Sequence, residues 1–261
     1  MACVTRAQII AVLQRALQAG DAVDAAWEGG SAAFDNVDAL SDIDAVAVVA
    51  DDAIDASSAQ IEGALHALSP VTLRYDVPAT AGFTQKFYRL RDAEEFLVID
   101  LVLMRRSDPL LFREVELHGH GRTWFDRRGL LVESHLDPVR DADQARARIP
   151  VLAASFQMFQ HIVTKERQRG RAVEALMFYH SMTLRPLVEA LRLLHCPQRR
   201  IFGMRYLARD LPAHVCRRIE ALAFVHDLDD LAQKHEAARL WFGSCMQRLQ
   251  QLGPGGGLGD D

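Results

Sequence analysis

Two rhythms of apolar spacing divide the chain. Up to about residue 140, short helical runs alternate with strand-like ones. Over residues 6–19, Ile9, Ile10, Leu13 and Leu17 recur at helical spacing, and the run stops at Gly20, a natural C-cap. Residues 22–28 read as a short strand that ends at Gly29-Gly30, and residues 42–49 as a second. A helix over 56–68 follows, with Ile61, Leu65 and Leu68 on one face and Pro70 just beyond it. Strands are then predicted over 71–77, 83–90 and 95–104, the last two pairing antiparallel across residues 91–94. Residues 122–125 and 130–132, around Asp126-Arg127-Arg128-Gly129, read as a small hairpin.

From about residue 141 the period becomes 3.6 and stays there. Helices are predicted over 142–168, 171–195, 202–210, 213–224 and 227–250. Gly170 separates the first two, and Pro186 should kink the second or start a new helix. Phe156, Phe159, Phe178 and Tyr179 form an aromatic stripe expected in the core. The expected class is therefore α+β. A mixed β-sheet flanked by helices occupies residues 1–140, an all-α helical bundle 141–252, and a flexible glycine-rich tail 253–261.

Composition narrows the picture. At 261 residues and 49% hydrophobic, the chain can bury one large core or two smaller ones. No apolar run approaches the ~20 residues of a membrane-spanning helix. The first residues lack a signal-peptide pattern, and the four cysteines are scattered with no CxxC pair, so a reducing cytoplasm is the expected compartment. Net charge is −5 but uneven: residues 1–140 carry 13 Lys+Arg against 22 Asp+Glu, and residues 141–261 carry 17 against 13. The acidic half suits metal; the basic half could help hold a polyanion such as a triphosphate, or simply present a solvated basic surface. No dense Lys/Arg stripe with interleaved aromatics marks a long nucleic acid partner.

Chemistry concentrates in three places. Gly29-Gly30-Ser31 offers close backbone approach, together with a hydroxyl and an amide at a helix start, where anions are favoured. Ten residues on, Asp42-Ile43-Asp44 opens a strand; alternation sends both carboxylates to one side and Ile43 to the other, buried side. Two such carboxylates suit Mg²⁺, and burying them together without a cation would cost several kcal/mol. Asp100 lies inside the apolar run 96–104, where a core role is hard to assign; it would complete the site as a metal ligand or as a base.

This ordered set, Gly29-Gly30-Ser31, Asp42-Ile43-Asp44 and Ile99-Asp100-Leu101, resembles the nucleotidyltransferase superfamily, whose simplest members are the minimal and antibiotic-modifying nucleotidyltransferases. The resemblance covers roughly residues 22–132. It implies a two-metal Mg²⁺ site held by Asp42, Asp44 and Asp100, a phosphate cradle at Gly30 and Ser31, and transfer of a nucleoside monophosphate from an NTP, with ATP the expected donor. The implied acceptor is a hydroxyl, on an antibiotic, another small metabolite or a protein side chain. A helical second domain is usual in aminoglycoside- and lincosamide-modifying relatives, some of which draw an acceptor-activating carboxylate from it. Glu166, Glu174 and Glu189 are candidates, and nothing in the sequence selects among them.

Other groups carry less. Gln85, Lys86 and Arg89 precede the Asp100 strand, and Lys86 is the candidate for triphosphate contact. Lys165, Arg167, Arg169 and Arg171 read as a solvated helix terminus favoured by the dipole, and His118-Gly119-His120 as an exposed loop. The alternative to an enzyme is a nucleotide-binding regulatory or toxin–antitoxin-like module with little turnover. Either a monomer or a homodimer fits the pattern.

Overall fold

A computed structural model describes residues 3–78 and 82–251. The expected tail over 253–261 lies outside the described residues. The chain divides into two compact units, Met1–His135 and Leu136–Asp261, and the class is the expected one, α+β with a mixed sheet followed by helices. Among the described residues no helix is long and apolar enough to cross a membrane.

The first unit opens with α1 (Arg6–Gln18). Thr5 and Gln8 cap it reciprocally: the Gln8 amide donates to the Thr5 hydroxyl, and the Thr5 amide donates to Gln8 Oε1 at 2.8 Å. Ile9, Leu13 and Leu17 form its buried stripe. Six strands follow: β1 (Val23–Glu28), β2 (Ile43–Val49), β3 (Val71–Asp76), β4 (Phe83–Leu90), β5 (Ile99–Arg105) and β6 (Arg122–Asp126). They lie in the order β3-β4-β5-β2-β1-β6, and only β2 and β5 run parallel. Helix α2 (Ile54–Leu68) and α1 cover one face, where Ile43, Ala45, Ala47 and Val49 of β2 meet Ile99, Leu101 and Leu103 of β5. Alternation sends the other residues of these strands to the opposite face. There Val46, Val48 and Met104 form a smaller apolar cluster with Trp27, and Asp44 and Asp100 stand beside it.

Two expectations in this unit differ by more than a residue or two at an element's end. Residues 130–132 are not a strand: Asp126 accepts from the amides of Arg128 and Leu131, folding the chain into a turn, and β6 pairs with the open edge of β1. The strand expected from 95 begins at Ile99, because Leu97 N–H turns back onto the Glu94 carbonyl. A one-turn helix, α3 (Val115–His118), precedes β6.

The second unit begins with α4 (Pro138–Gln168), capped by the Asp137 carboxylate on the amides of Val139 and Arg140. Then come α5 (Ala172–Phe178), a π-helical turn over Tyr179–Leu184, and α6 (Arg185–His195). The π turn is where Pro186 makes itself felt. Proline has no N–H for the Met182 carbonyl four residues back, and its ring crowds that carbonyl. Gln160 Nε2 donates to the freed Met182 oxygen at 2.9 Å, while Gln160 Oε1 accepts from the Thr183 hydroxyl at 2.7 Å and lies 2.9 Å from His235 Nε2. Burial pushes the His235 pKa down to about 4, so the ring is neutral and can donate from Nε2.

The helix expected over 202–210 is mostly absent. A 3₁₀ segment (Pro197–Phe202) leads to Gly203 at φ +57°, and only α7 (Leu207–Asp210) is α-helical there. The fully buried Arg192 guanidinium explains the irregularity. It binds the carbonyls of Gly203 and Arg205, which therefore point at the charge instead of along a helix axis. Asp210 neutralises it at 2.6 Å and also holds Arg199 and Arg209, each at 2.9 Å. Helices α8 (Ala213–Ala223) and α9 (Leu228–Gln251) complete the unit. Phe156 stacks on Phe242 with ring centroids 3.6 Å apart, and Tyr179 is buried as expected. Phe159 is 42% exposed, a correction to the aromatic stripe: the inward row of α4 is Leu152, Phe156, Gln160 and Val163, and position 159 falls outside it.

Gln160→Leu should lower the unfolding free energy by about 1–3 kcal/mol, because it strands the Met182 carbonyl and the Thr183 hydroxyl without partners. Urea denaturation followed by far-UV circular dichroism measures it. An unchanged midpoint would show that the network contributes nothing.

Candidate functional site

The site is built from the parallel pair. Asp44 and Asp100 are register partners on β2 and β5, so the two carboxylates project from adjacent positions on the face that α1 and α2 leave open. From β4, Gln85 Nε2 donates to both Asp100 oxygens, each at 2.9 Å, and fixes that carboxylate. Burial raises the Asp100 pKa; the Gln85 hydrogen bonds oppose the rise and Asp42 adds to it. Asp44 is pushed up to about 6, first by burial, then by the charges of Asp100, Asp42 and Glu28, with Arg6 opposing. An acidic group that resists ionising beside other acids is short of positive charge.

The glycine turn closes against the same carboxylate. Gly29 N–H donates to the Asp44 carbonyl at 2.8 Å and ties the turn to β2. Gly30 sits at φ +55°, and a β-carbon there would fall 1.8 Å from Asp44 Oδ2, so another residue would be strained and would displace the Asp44 carboxylate. Ser31 follows at the start of a 3₁₀ turn, Gly30–Phe34, and its hydroxyl is buried without a hydrogen-bond partner.

Two residues that the sequence reading passed over complete the picture. Glu28, buried at the end of β1, is ion-paired with Arg6 from the first turn of α1; Arg6 also donates to the Asp42 carbonyl at 3.2 Å. Arg113 is buried, its guanidinium and the Trp27 ring both lie beside Gly121, and its Nη2 donates to the Leu131 carbonyl at 3.1 Å. Its Nε and Nη1 are buried with no partner. A buried guanidinium with spare donors is costly unless something anionic meets it. Glu28 directly precedes the Gly29-Gly30-Ser31 turn, while Arg113 carries no sequence signal of its own.

The remaining expected residues divide. Asp42 precedes the ladder, so the pleat does not aim it; it is exposed, and its Oδ1 accepts from Val98 N–H at 3.2 Å. Among the described residues, no three His, Cys, Asp or Glu side chains form a ready cation site. The acids that do sit side by side are Asp44 and Asp100. Lys86 is on the other face: alternation along β4 turns it toward α2, where its ammonium donates to the Ser58 hydroxyl at 2.6 Å. The expectation that Lys86 reaches the cleft is thereby corrected, and Gln85 takes that position. His118 and His120 turn to separate carboxylates, Glu114 at 3.9 Å and Glu133 at 2.6 Å, rather than to a common ion.

In the helical unit, Glu166 is buried and held by Arg169 at 2.5 Å and Arg171 at 3.2 Å, so part of the basic cluster is neutralised there. Glu189 is gripped by Arg148 through two hydrogen bonds, at 2.5 and 3.0 Å, and Glu174 is exposed on α5.

The residues fit a divalent cation in part. The Asp44–Asp100 pair supplies two hard oxygen donors, the unpartnered Ser31 hydroxyl next to Gly30 fits the phosphates that such a cation accompanies, and Asp42 would have to release Val98 to join.

No protein-family model matches the sequence, and no curated protein matches it. Among solved structures the chain is similar to an aminoglycoside 6-adenyltransferase from Bacillus subtilis at 12% identity and a TM-score of 0.41, covering 95% of this chain and 91% of that one. A likeness at that level carries no inference about activity.

Because Asp44 binds its proton more tightly folded than unfolded, its contribution makes stability fall as pH rises from about 4 to about 6. Without divalent ions at pH 7, Asp44→Asn should therefore be more stable than the parent by up to about 3 kcal/mol, and the gap should close below pH 4. Urea unfolding at the two pH values measures it; equal stabilities throughout would show that the carboxylate bears no such strain.

Proposed function

We propose that the protein is a metal-dependent nucleotidyltransferase that moves a nucleoside monophosphate, AMP from ATP in the first instance, to a hydroxyl of a small acceptor. The observation that carries this reading is the register pairing of Asp44 with Asp100 directly against the Gly30 cradle. Asp44 and Asp100, joined by Asp42 once it leaves Val98, would hold Mg²⁺, which when bound supplies charge neutralisation at the phosphates.

The chain's own residues supply the rest. Gly30 lets the backbone approach the phosphates, and the Ser31 hydroxyl is free to bind their oxygens. Gln85 orients Asp100, whose carboxylate would accept the proton of the attacking hydroxyl beside the cation. The acceptor oxygen bonds to the α-phosphorus, the bond from that phosphorus to the pyrophosphate oxygen breaks, and pyrophosphate leaves. Binding and orientation supply most of the acceleration in such a transfer.

One observation favours the alternative, a nucleotide-binding module with little turnover: Asp42 is engaged by the backbone, and among the described residues no three-acid cluster is assembled. Turnover separates the two readings.

With Mg²⁺, ATP and a panel of hydroxylated acceptors, pyrophosphate release should be measurable. Asp44→Asn and Asp100→Asn should each reduce it at least about a hundredfold, the order expected when a group stabilising the transition state is lost. Lys86→Ala should stay near the parent rate, since its ammonium serves Ser58. Near-parent turnover in either aspartate variant sinks the proposal, and Mg²⁺-independent ATP binding without pyrophosphate release favours the module.

A further inference from the structure

The helical unit holds a concave surface lined by none of the residues given a role in the proposed transfer. It is a cleft of about 920 Å³ bounded by α6, the α7–α8 segment and α9. Its floor is apolar, formed by Leu191, Leu194, Leu211 and Val215, all buried. Its rim is basic: His195 closes α6, Arg209 and His214 flank Pro212, Arg218 lies on α8 and Arg248 on α9.

Counter-charge is scarce there. Asp210 is the acid that lines the cleft, and it is already shared among Arg192, Arg199 and Arg209. Among the described residues, neither Arg218 nor Arg248 has a carboxylate within ion-pair distance, and both are exposed. Arg218 lies over the Trp241 ring at 4.0 Å from its centroid, a cation–π contact at the cleft wall. Burial, Arg248 and His214 together push the His195 pKa down, as expected where cations gather unneutralised. Burial pushes the Cys245 thiol up to about 11, so the cysteine lining the cleft is protonated and is no nucleophile.

Like charges held together over an apolar floor repel one another until an anion enters, and guanidinium groups match the oxygens of phosphate and carboxylate. We infer that this cleft is a binding site for a small organic anion, a phosphate or carboxylate head on an apolar body, with Arg218 and Arg248 meeting the head and Leu191, Leu194 and Val215 the body. The basic excess of residues 141–261 thus has a local address.

The test is calorimetry with 1-naphthyl phosphate in EDTA, which keeps divalent ions from recruiting the probe to the acidic site of the other unit. Saturable binding is expected, with quenching of Trp241 emission that Trp241→Phe abolishes. Inorganic phosphate and 1-naphthol should each bind at least about tenfold more weakly, since each lacks one half of the recognised chemistry. Arg218→Ala/Arg248→Ala should weaken the ester by at least about tenfold at an unchanged thermal midpoint. Arg248→Glu alone should do the same, and Asp44→Asn should bind as the parent does. Absence of saturable binding overturns the inference, as does equal affinity in the arginine variants or loss of binding in Asp44→Asn. Inorganic phosphate binding as tightly as the ester would overturn the organic character assigned to the ligand.

Discussion

The parallel pairing of β2 with β5 is the constraint from which the rest of the first unit follows. Every other neighbouring pair in the sheet is antiparallel. A parallel pair needs a crossover, and the segment from β2 through α2 and the β3–β4 hairpin provides it. The in-step register that results seals Ile43 against Ile99 beneath the helices and sets Asp44 against Asp100 on the open side. A slip of one residue on either strand would exchange acid for apolar on both faces, so the burial of the core and the placement of the acids are one fact. The glycine turn completes the arrangement, because Gly29 bonds to the residue whose carboxylate Gly30 must accommodate.

Polar groups buried in the second unit shape its backbone rather than interrupt its core. Arg192 draws the carbonyls after α6 out of helical alignment, and Asp210 cancels its charge. Gln160 answers the carbonyl that Pro186 leaves empty, which makes a π turn tolerable between two regular helices. Both devices depend on every member being satisfied, since a half-paired buried network costs more than an apolar one.

Much of this was legible in the sequence where short-range rules govern. Period 2 and period 3.6 located the strands and long helices, and the strand register makes neighbours of Asp44 and Asp100, which the chain separates widely. Legibility failed where long-range partners decide. Residues 130–132 looked like half a hairpin, but β1 offered β6 a better edge. Lys86 and Gln85 are adjacent and both polar; only the pairing of β4 with β5 settles which one meets Asp100. Asp42 shares its parity with Asp44, yet it precedes the first ladder residue, so the rule that aims strand side chains does not reach it. Arg113 owes its burial to tertiary packing, and Glu28, placed by the β1 ladder, owes its partner Arg6 to the docking of α1.

The ion pair between Arg6 and Glu28 joins the opening turn of α1 to the edge of the acidic face. The first helix is thus an electrostatic participant as well as a lid on the core. Since Arg6 is a cation that favours ionised Asp44, the proton affinity of that aspartate is coupled to how firmly the leading helix is docked. Fraying of a single helical turn, far from the glycine cradle along the chain, would be felt there as a change in acidity.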